Sequence, residues 1–259
     1  MSVDPLAPDF PQWSPYVFSG NLVTISKELE GMEPSFLVQE DGKLTSGAVT
    51  LMHAAYGYST SSLQNSTWIV SSDPRVSGWD KLTGHPEASV KGTQVMYSSK
   101  VVNRDENYWF GLISHEQSHR QDVEKQGNLD FYSEYIGEGI FKDYKDISTE
   151  ARAFRMGSDS KNVDMADKLL SYKNGAVMDI FQRGNLTNNE KASMLEAVGN
   201  QFKRDVVLQG AIDGAKSGLS NMKDMKWDDK TKANMTKLLN SLINNWTKQQ
   251  EEITKKYGN

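Results

Sequence analysis

The stretch "FGLISHEQSHRQ", residues 110–121, contains the pattern that most constrains this chain, His115-Glu116-x-x-His119. Histidines four positions apart share one face of an α-helix, so the pattern favours a helix here. The longer stretch "NYWFGLISHEQSHRQDVEKQGN" is long enough for about five turns and stops at Gly127-Asn128, a pair that commonly ends helices. On such a helix both imidazoles can bind one metal ion, and Glu116 lies beside them as a general base.

Composition limits the other ligands of such an ion. The chain has 259 residues, four histidines and no cysteine, so disulfides and thiolate ligands are excluded. No histidine follows His119, and a third ligand is therefore expected from a downstream carboxylate. Two imidazoles and one carboxylate would hold Zn²⁺ with an open position, where Glu116 could activate a metal-bound water for hydrolysis.

The neighbours of the motif suggest how it is embedded. Leu112 and Ile113 lie one turn earlier and can bury the site, whereas a solvated side is expected from Arg120, Asp122, Glu124 and Lys125. Hydrolysis also requires a donor to the developing oxyanion. The candidates for this donor are His85, Tyr132, Tyr135 and Tyr144.

The rest of the chain predicts an α+β fold with a small sheet followed by helices. "STWIV" and "TQVMYSSKVV" favour strands, and 48–56 fits a strand or a helix. The strand near 93–102 could pair with an extended peptide, or it could lie inside an ordinary sheet. Helices are predicted for "DISTEARAFRMG", after a capping box at Thr187–Glu190, and from Trp227-Asp228-Asp229 onward. In the last helix, apolar residues follow a 4-3 spacing that could form a coiled coil, although packing within its own domain is favoured. These apolar residues are Met235, Leu239, Leu242, Trp246 and Ile253.

Charge and hydropathy exclude some classes of function. The net charge is -5; residues 160–259 carry 16 Lys and Arg against 12 Asp and Glu, which leaves the preceding part acidic. This distribution argues against a nucleic-acid-binding protein. No apolar run is long enough for a transmembrane segment, and the first residues do not form a signal peptide.

Two groups of residues resemble the gluzincin metallopeptidases. His115-Glu-Gln-Ser-His119 followed by Glu150-Ala-Arg-Ala153 is similar to the two helices of their zinc site, and "LTGHPEASVKGTQVMYSS" resembles the strand region before the first helix. The resemblance covers roughly 80–158 and implies a small zincin-like sheet, Zn²⁺ bound by His115, His119 and Glu150, and Glu116 as catalytic base. Glu134 and Glu138 in "FYSEYIGEGIF" remain alternatives for the third ligand.

The first residues carry a second resemblance. "SVDPLAPDFPQWSPYVFSGN" followed by "ELEGMEP" resembles the end of the core of Rhs and YD-repeat proteins. That family implies a shell that encloses a carboxy-terminal toxin, a secretion apparatus that delivers it into a competing cell, and a cognate immunity protein. By position, self-cleavage of the core would fall near Gly31-Met32.

Together these observations predict three segments: an Rhs-core-like end or linker at 1–32, a zincin-like metallopeptidase domain at 33–158 and a helical subdomain at 159–259. The expected function is a secreted antibacterial toxin that hydrolyses peptide bonds in a target-cell protein. One alternative is a zinc amidase acting on cell-wall material. The other is a toxin whose helical part binds a target or a membrane while the metal site is non-catalytic.

Overall fold

The computed structural model describes residues 36–39, 41–71, 88–98, 104–139, 141–157 and 164–258. The Rhs-like segment at 1–32, the cleavage position Gly31-Met32 and the candidate His85 lie outside these residues.

Helices make up most of the described chain, and a small sheet accompanies them. The helices are α1 (Ser46–Tyr56), α2 (Thr60–Asn65), α3 (Glu106–Gln126), α4 (Asn128–Gly139), α5 (Ser148–Met156), α6 (Met165–Gln182), α7 (Asn188–Phe202), α8 (Gln209–Asn221) and α9 (Asp229–Tyr257). A π-helical segment, Lys203–Leu208, joins α7 to α8. The strands are β1 (Thr67–Ser71), β2 (Ala88–Lys91) and β3 (Gln94–Ser98). A mainly helical chain with a small sheet is compatible with the predicted α+β class. The ambiguous stretch 48–56 lies in helix α1.

The sheet places β3 in its centre, in the order β1-β3-β2. Strand β1 pairs with β3 in parallel, and β2 pairs with β3 in the antiparallel direction. Of the two alternatives for the strand near 93–102, Gln94–Ser98 is the strand inside an ordinary sheet, because both edges of β3 already bond to neighbouring strands. Strand order depends on long-range pairing, which the local pattern does not contain.

The main core forms where α1 packs against α7. Leu51, Leu195 and Phe202 are fully buried there, and Gly199 allows close approach because a Cβ at this position would lie 2.8 Å from that of Ala54. The same apolar cluster includes Ile113 of α3. Residues from both sides of the predicted boundary near 158 thus share one core. The boundary itself stays a prediction, since 158–163 lie outside the described ranges.

Capping residues set the ends of the later helices. The capping box at Thr187 and Glu190 is present, with both reciprocal hydrogen bonds. Asp228 caps α9 by accepting from the backbone N–H of Thr231. The apolar face of α9 is half-buried against α8 and the π-helical segment, so this helix packs on its own chain as predicted.

None of the described helices combines the length and the apolar character that crossing a bilayer requires.

Candidate metal centre

The predicted helix through the motif is confirmed as α3, and its ends are capped. The Asp105 side chain accepts from the backbone N–H of Tyr108 at 2.8 Å, which satisfies a free donor of the first turn. Gly127 ends the helix with a positive φ of 83°. Every residue from Phe110 to Gln121 is buried, so the motif lies inside the protein.

The side of α3 away from the histidines is held by polar contacts. Gln117 is fully buried, accepts from Ser66 Oγ at 3.0 Å and donates to Ser62 Oγ at 3.1 Å. Arg120 donates to the carbonyl oxygen of Gly92 in the turn between β2 and β3. These bonds satisfy buried polar groups that would otherwise destabilise the fold.

Arg120 therefore corrects one expectation, because it does not belong to a solvated side. Its exposed fraction is 8%, and burial lowers the pKa of its guanidinium. The physical reason is that carbonyl oxygens of other elements replace water as its hydrogen-bond partners. Glu124 and Lys125, one turn later, are exposed as expected. Leu112 and Ile113 are buried, as predicted.

Helix α5 lies antiparallel against α3 and brings Glu150 to the histidines. At its carboxy-terminal end Gly157 meets Gly111 of α3, where a Cβ on Gly157 would lie 2.3 Å from the Gly111 carbonyl oxygen. Further along the pair, the Phe154 ring contacts the His115 ring, with centroids 4.8 Å apart. Glu150 lies one turn before Phe154 on α5, and its carboxylate faces both histidines.

The three side chains converge on one point. Glu150 carboxylate oxygens lie 3.5 Å from His115 Nε2 and 3.5 Å from His119 Nε2, and the two Nε2 atoms are 3.3 Å apart. One ligand atom from each residue falls within a mutual distance of 4.8 Å. The exposed fractions are 5% for His115, 7% for His119 and 2% for Glu150.

The chemistry of this group fits a bound cation. Among the described residues, Glu150 Oε2 is a buried atom without a hydrogen-bond partner. Burial alone would raise the pKa of Glu150, but the attraction of His119 and the close contacts of both imidazole rings outweigh it and lower the pKa. A buried anionic carboxylate facing two imidazole nitrogens matches the donor set that zinc accepts. The group could hold a metal ion.

The two alternative carboxylates lie in α4 and have other partners. Glu134 Oε1 is 3.8 Å from Arg152 Nη2. Glu138 accepts from the Ser148 backbone N–H and, at 2.7 Å, from Ser148 Oγ, and it pairs with Lys142 at 3.0 Å. The Ser148 backbone and hydroxyl bonds and the Lys142 contact lower the pKa of Glu138 to about 2. Glu138 thereby caps α5, the helix that carries Glu150.

Glu116 and Tyr144 extend the centre beyond the three converging residues. Glu116 is 5% exposed. Tyr144 lies in a short 3₁₀ turn before α5, and its ring contacts Phe154 with centroids 6.1 Å apart. Burial of its phenol group raises the pKa of Tyr144, and the nearby charges of Glu150 and Glu116 raise it further. The residue as a whole is 42% exposed.

Tyr144 is thus an oxyanion-donor candidate whose phenol group interacts with Glu150 and Glu116. Tyr135 is a neighbour of Tyr144, whose pKa it also raises. The side chain of Tyr132 lies outside the described part of the structure, as does His85. Sequence reasoning missed Phe154 and Phe131, whose rings contact the His115 and His119 rings. Phe154 stands one turn after Glu150, and this spacing could have identified it.

Comparison with protein-family models, with curated proteins and with solved structures finds no match to this chain.

Proposed function

We propose that this protein is a zinc-dependent hydrolase that cleaves peptide bonds, with His115, His119 and Glu150 as metal ligands and Glu116 as general base. The observation that carries the proposal is the convergence of the Glu150 carboxylate on the two histidine Nε2 atoms, at 3.5 Å from each. The motif alone supplies two ligands. Helix α5, which begins 29 residues after His119, supplies the third.

A zinc ion in this site would polarise a substrate carbonyl and lower the pKa of a water molecule toward neutrality. Glu116 accepts the proton of the attacking water while the water oxygen bonds to the carbonyl carbon. When the carbon–nitrogen bond breaks, Glu116 passes this proton to the leaving amine. Because Glu116 is buried, little bulk water competes for the proton.

Tyr144 supplies the hydrogen bond to the oxygen on which negative charge develops. Its raised pKa keeps the phenol protonated over the physiological range, so the hydroxyl remains a donor. Glu138 anchors the segment of Tyr144 to the first turn of α5 through Ser148. The donor and the ligand Glu150 are thereby positioned by one short piece of chain.

The biological setting is proposed from the sequence resemblance. Residues 1–32 resemble the end of an Rhs core, which supports a toxin delivered into a target cell by a shell and a secretion apparatus. A protein of that cell is then the substrate, and an immunity protein protects the producer. The site geometry supports hydrolysis, while the toxin role rests on the resemblance.

The test compares zinc-loaded wild type with Glu116→Gln and with a control, Glu124→Gln, which removes an exposed carboxylate from the same helix. Each protein is incubated with a target-cell proteome and, separately, with purified cell wall. Wild type and the control should release new peptide termini, while Glu116→Gln binds zinc but loses about 10²–10⁴-fold in rate.

If the wild type hydrolysed only the cell-wall material, the proposed peptidase activity would give way to the alternative, a zinc amidase. Equal proteolysis by wild type and Glu116→Gln would exclude the proposed mechanism.

A further inference from the structure

We propose that Arg152 is a positioning residue for the metal centre: by bridging α3 and α4, it fixes the rotation of α5 and so places the Glu150 carboxylate for metal binding. This inference rests on the metal-binding part of the proposed function. It does not depend on which bond the protein hydrolyses.

Arg152 joins the three helices that surround the centre. Its Nε atom donates to Asp122 Oδ2 on α3 at 3.1 Å. Its Nη2 atom lies 3.8 Å from Glu134 Oε1 on α4. Asp122 follows His119 by three positions, and Arg152 follows Glu150 by two. The bridge therefore connects the chain immediately after a histidine ligand to the chain immediately after the carboxylate ligand.

The position of Arg152 determines which motion it restrains. Residues two apart on an α-helix project about 200° apart, so Glu150 and Arg152 contact their neighbours from different sides of α5. The Gly157–Gly111 contact sets how closely α5 approaches α3. A contact between two glycines restrains rotation weakly, because neither residue has a side chain. The guanidinium group restrains that rotation through its carboxylate partners.

Helix α5 needs such a restraint because it is short. It has nine residues, and its N-cap residue Ile147 provides no side-chain hydrogen bond. Helices of this length are marginal without tertiary contacts. Glu138 holds the first turn through Ser148, and Arg152 acts one turn further along. Glu150 lies between these two anchors in the sequence.

The expected effect concerns metal affinity more than folding. The Arg152 and Asp122 side chains are 36% and 13% exposed, and partly exposed ion pairs contribute little to global stability. By contrast, residues that orient metal ligands change metal affinity by about 10–100-fold when they are replaced. A merely structural role would instead lower stability and leave the metal affinity of the folded protein unchanged.

The experiment uses the full chain, freed of metal by chelation. The zinc dissociation constant is measured by competition with a chromophoric chelator, and the melting temperature of the metal-free protein is measured in parallel. Arg152→Met should bind zinc about 10–100-fold more weakly, with a metal-free melting temperature close to that of wild type. Arg155→Met is the matched control, since Arg155 is exposed on the same helix and donates to the carbonyl of Ala151.

A second pair of variants tests the bridge itself. Asp122→Asn should weaken zinc binding in the same direction, and Arg152→Met combined with Asp122→Asn should be no worse than the more severe single change, since both interrupt one contact. Wild-type zinc affinity in Arg152→Met would overturn the inference, and so would a loss that Arg155→Met shares.

The outcomes also separate this inference from the proposed reaction. If Arg152→Met bound zinc more weakly while the wild type showed no hydrolysis, the positioning role of Arg152 would be supported and the proposed hydrolase function would be rejected. A wild-type protein that binds no zinc would overturn both.

Discussion

A Cβ atom on Gly157 would lie 2.3 Å from the carbonyl oxygen of Gly111. The backbones of α3 and α5 therefore meet where neither residue has a side chain. The Gly157 backbone is extended and any residue could adopt it, so space is the constraint here. This contact sets the helix separation at which the Glu150 carboxylate reaches both histidines.

We predict that Gly157→Ala separates these helices. Overpacking of this kind destabilises a fold by about 1–3 kcal/mol, and zinc affinity should fall because Glu150 is drawn away from the imidazoles. Chemical denaturation and zinc titration measure the two effects. The control is Gly214→Ala in α8, where an added Cβ meets nothing within 4 Å; it should be neutral or slightly stabilising. Unchanged stability and zinc affinity in Gly157→Ala would contradict the role of the contact.

Metal removal provides the second prediction. Zinc that binds the folded chain but not the unfolded chain stabilises the fold by about 2.7 kcal/mol when free zinc is 100-fold above its dissociation constant. A chelator should then lower the melting temperature by about 5–10 °C. His119→Ala should melt at the same temperature with and without the chelator, and an equal response in that variant would place the metal elsewhere.

Replacement of Tyr144 by phenylalanine should reduce hydrolysis with little change in metal binding. Loss of one oxyanion donor lowers kcat by about 10²–10³-fold, whereas zinc affinity should change by much less, because Tyr144 interacts with the ligand Glu150 but is not itself proposed as a ligand. Steady-state kinetics and zinc titration separate the two effects. The control is Tyr257→Phe, which removes a hydroxyl that donates to Glu196 and lies in a part of the chain remote in sequence from Tyr144. Full activity in Tyr144→Phe would leave the oxyanion donor unassigned.

The stability that the Glu138 cap contributes should depend on pH in the acid range. Its pKa is lowered to about 2 from the ordinary 4.5, so its contribution to stability is fully present above about pH 4.5 and is lost as the pH falls through about 2. Wild type should therefore melt above Glu138→Gln at pH 7, and the difference should shrink between pH 4.5 and 2. Glu251→Gln, a change at an exposed carboxylate of α9, should match wild type throughout. A difference between wild type and Glu138→Gln that is constant with pH would exclude the ionised cap.

The sequence identified features of the centre that depend on local spacing. His115 and His119 had to share a helix face, and Gly127 had to end that helix, because both statements follow from residues a few positions apart. The resemblance to two-helix zinc sites singled out Glu150 ahead of Glu134 and Glu138. The structure brings Glu150 to the histidines and gives the other two carboxylates separate partners.

Other features could not be read from local patterns, because they arise between distant elements. The sequence offers Glu138 as an alternative metal ligand, yet this residue forms part of helix α4 and caps a helix ten residues away. Arg120 has the sequence context of a surface residue, but it donates to carbonyl oxygens of a turn and a helix that are far away in sequence. The central position of β3 likewise depends on which strands meet.

The polar burial of α3 has a consequence for the order of folding. Gln117 and Arg120 obtain their partners from Ser62, Ser66 and Gly92, at sequence separations of 28 to 58 residues. Such contacts form only after long loops have closed. We therefore expect the histidines to reach their final positions late, after α2 and the β2–β3 turn have docked. Zinc would then bind a nearly finished protein and would not serve as the nucleus around which the chain collapses.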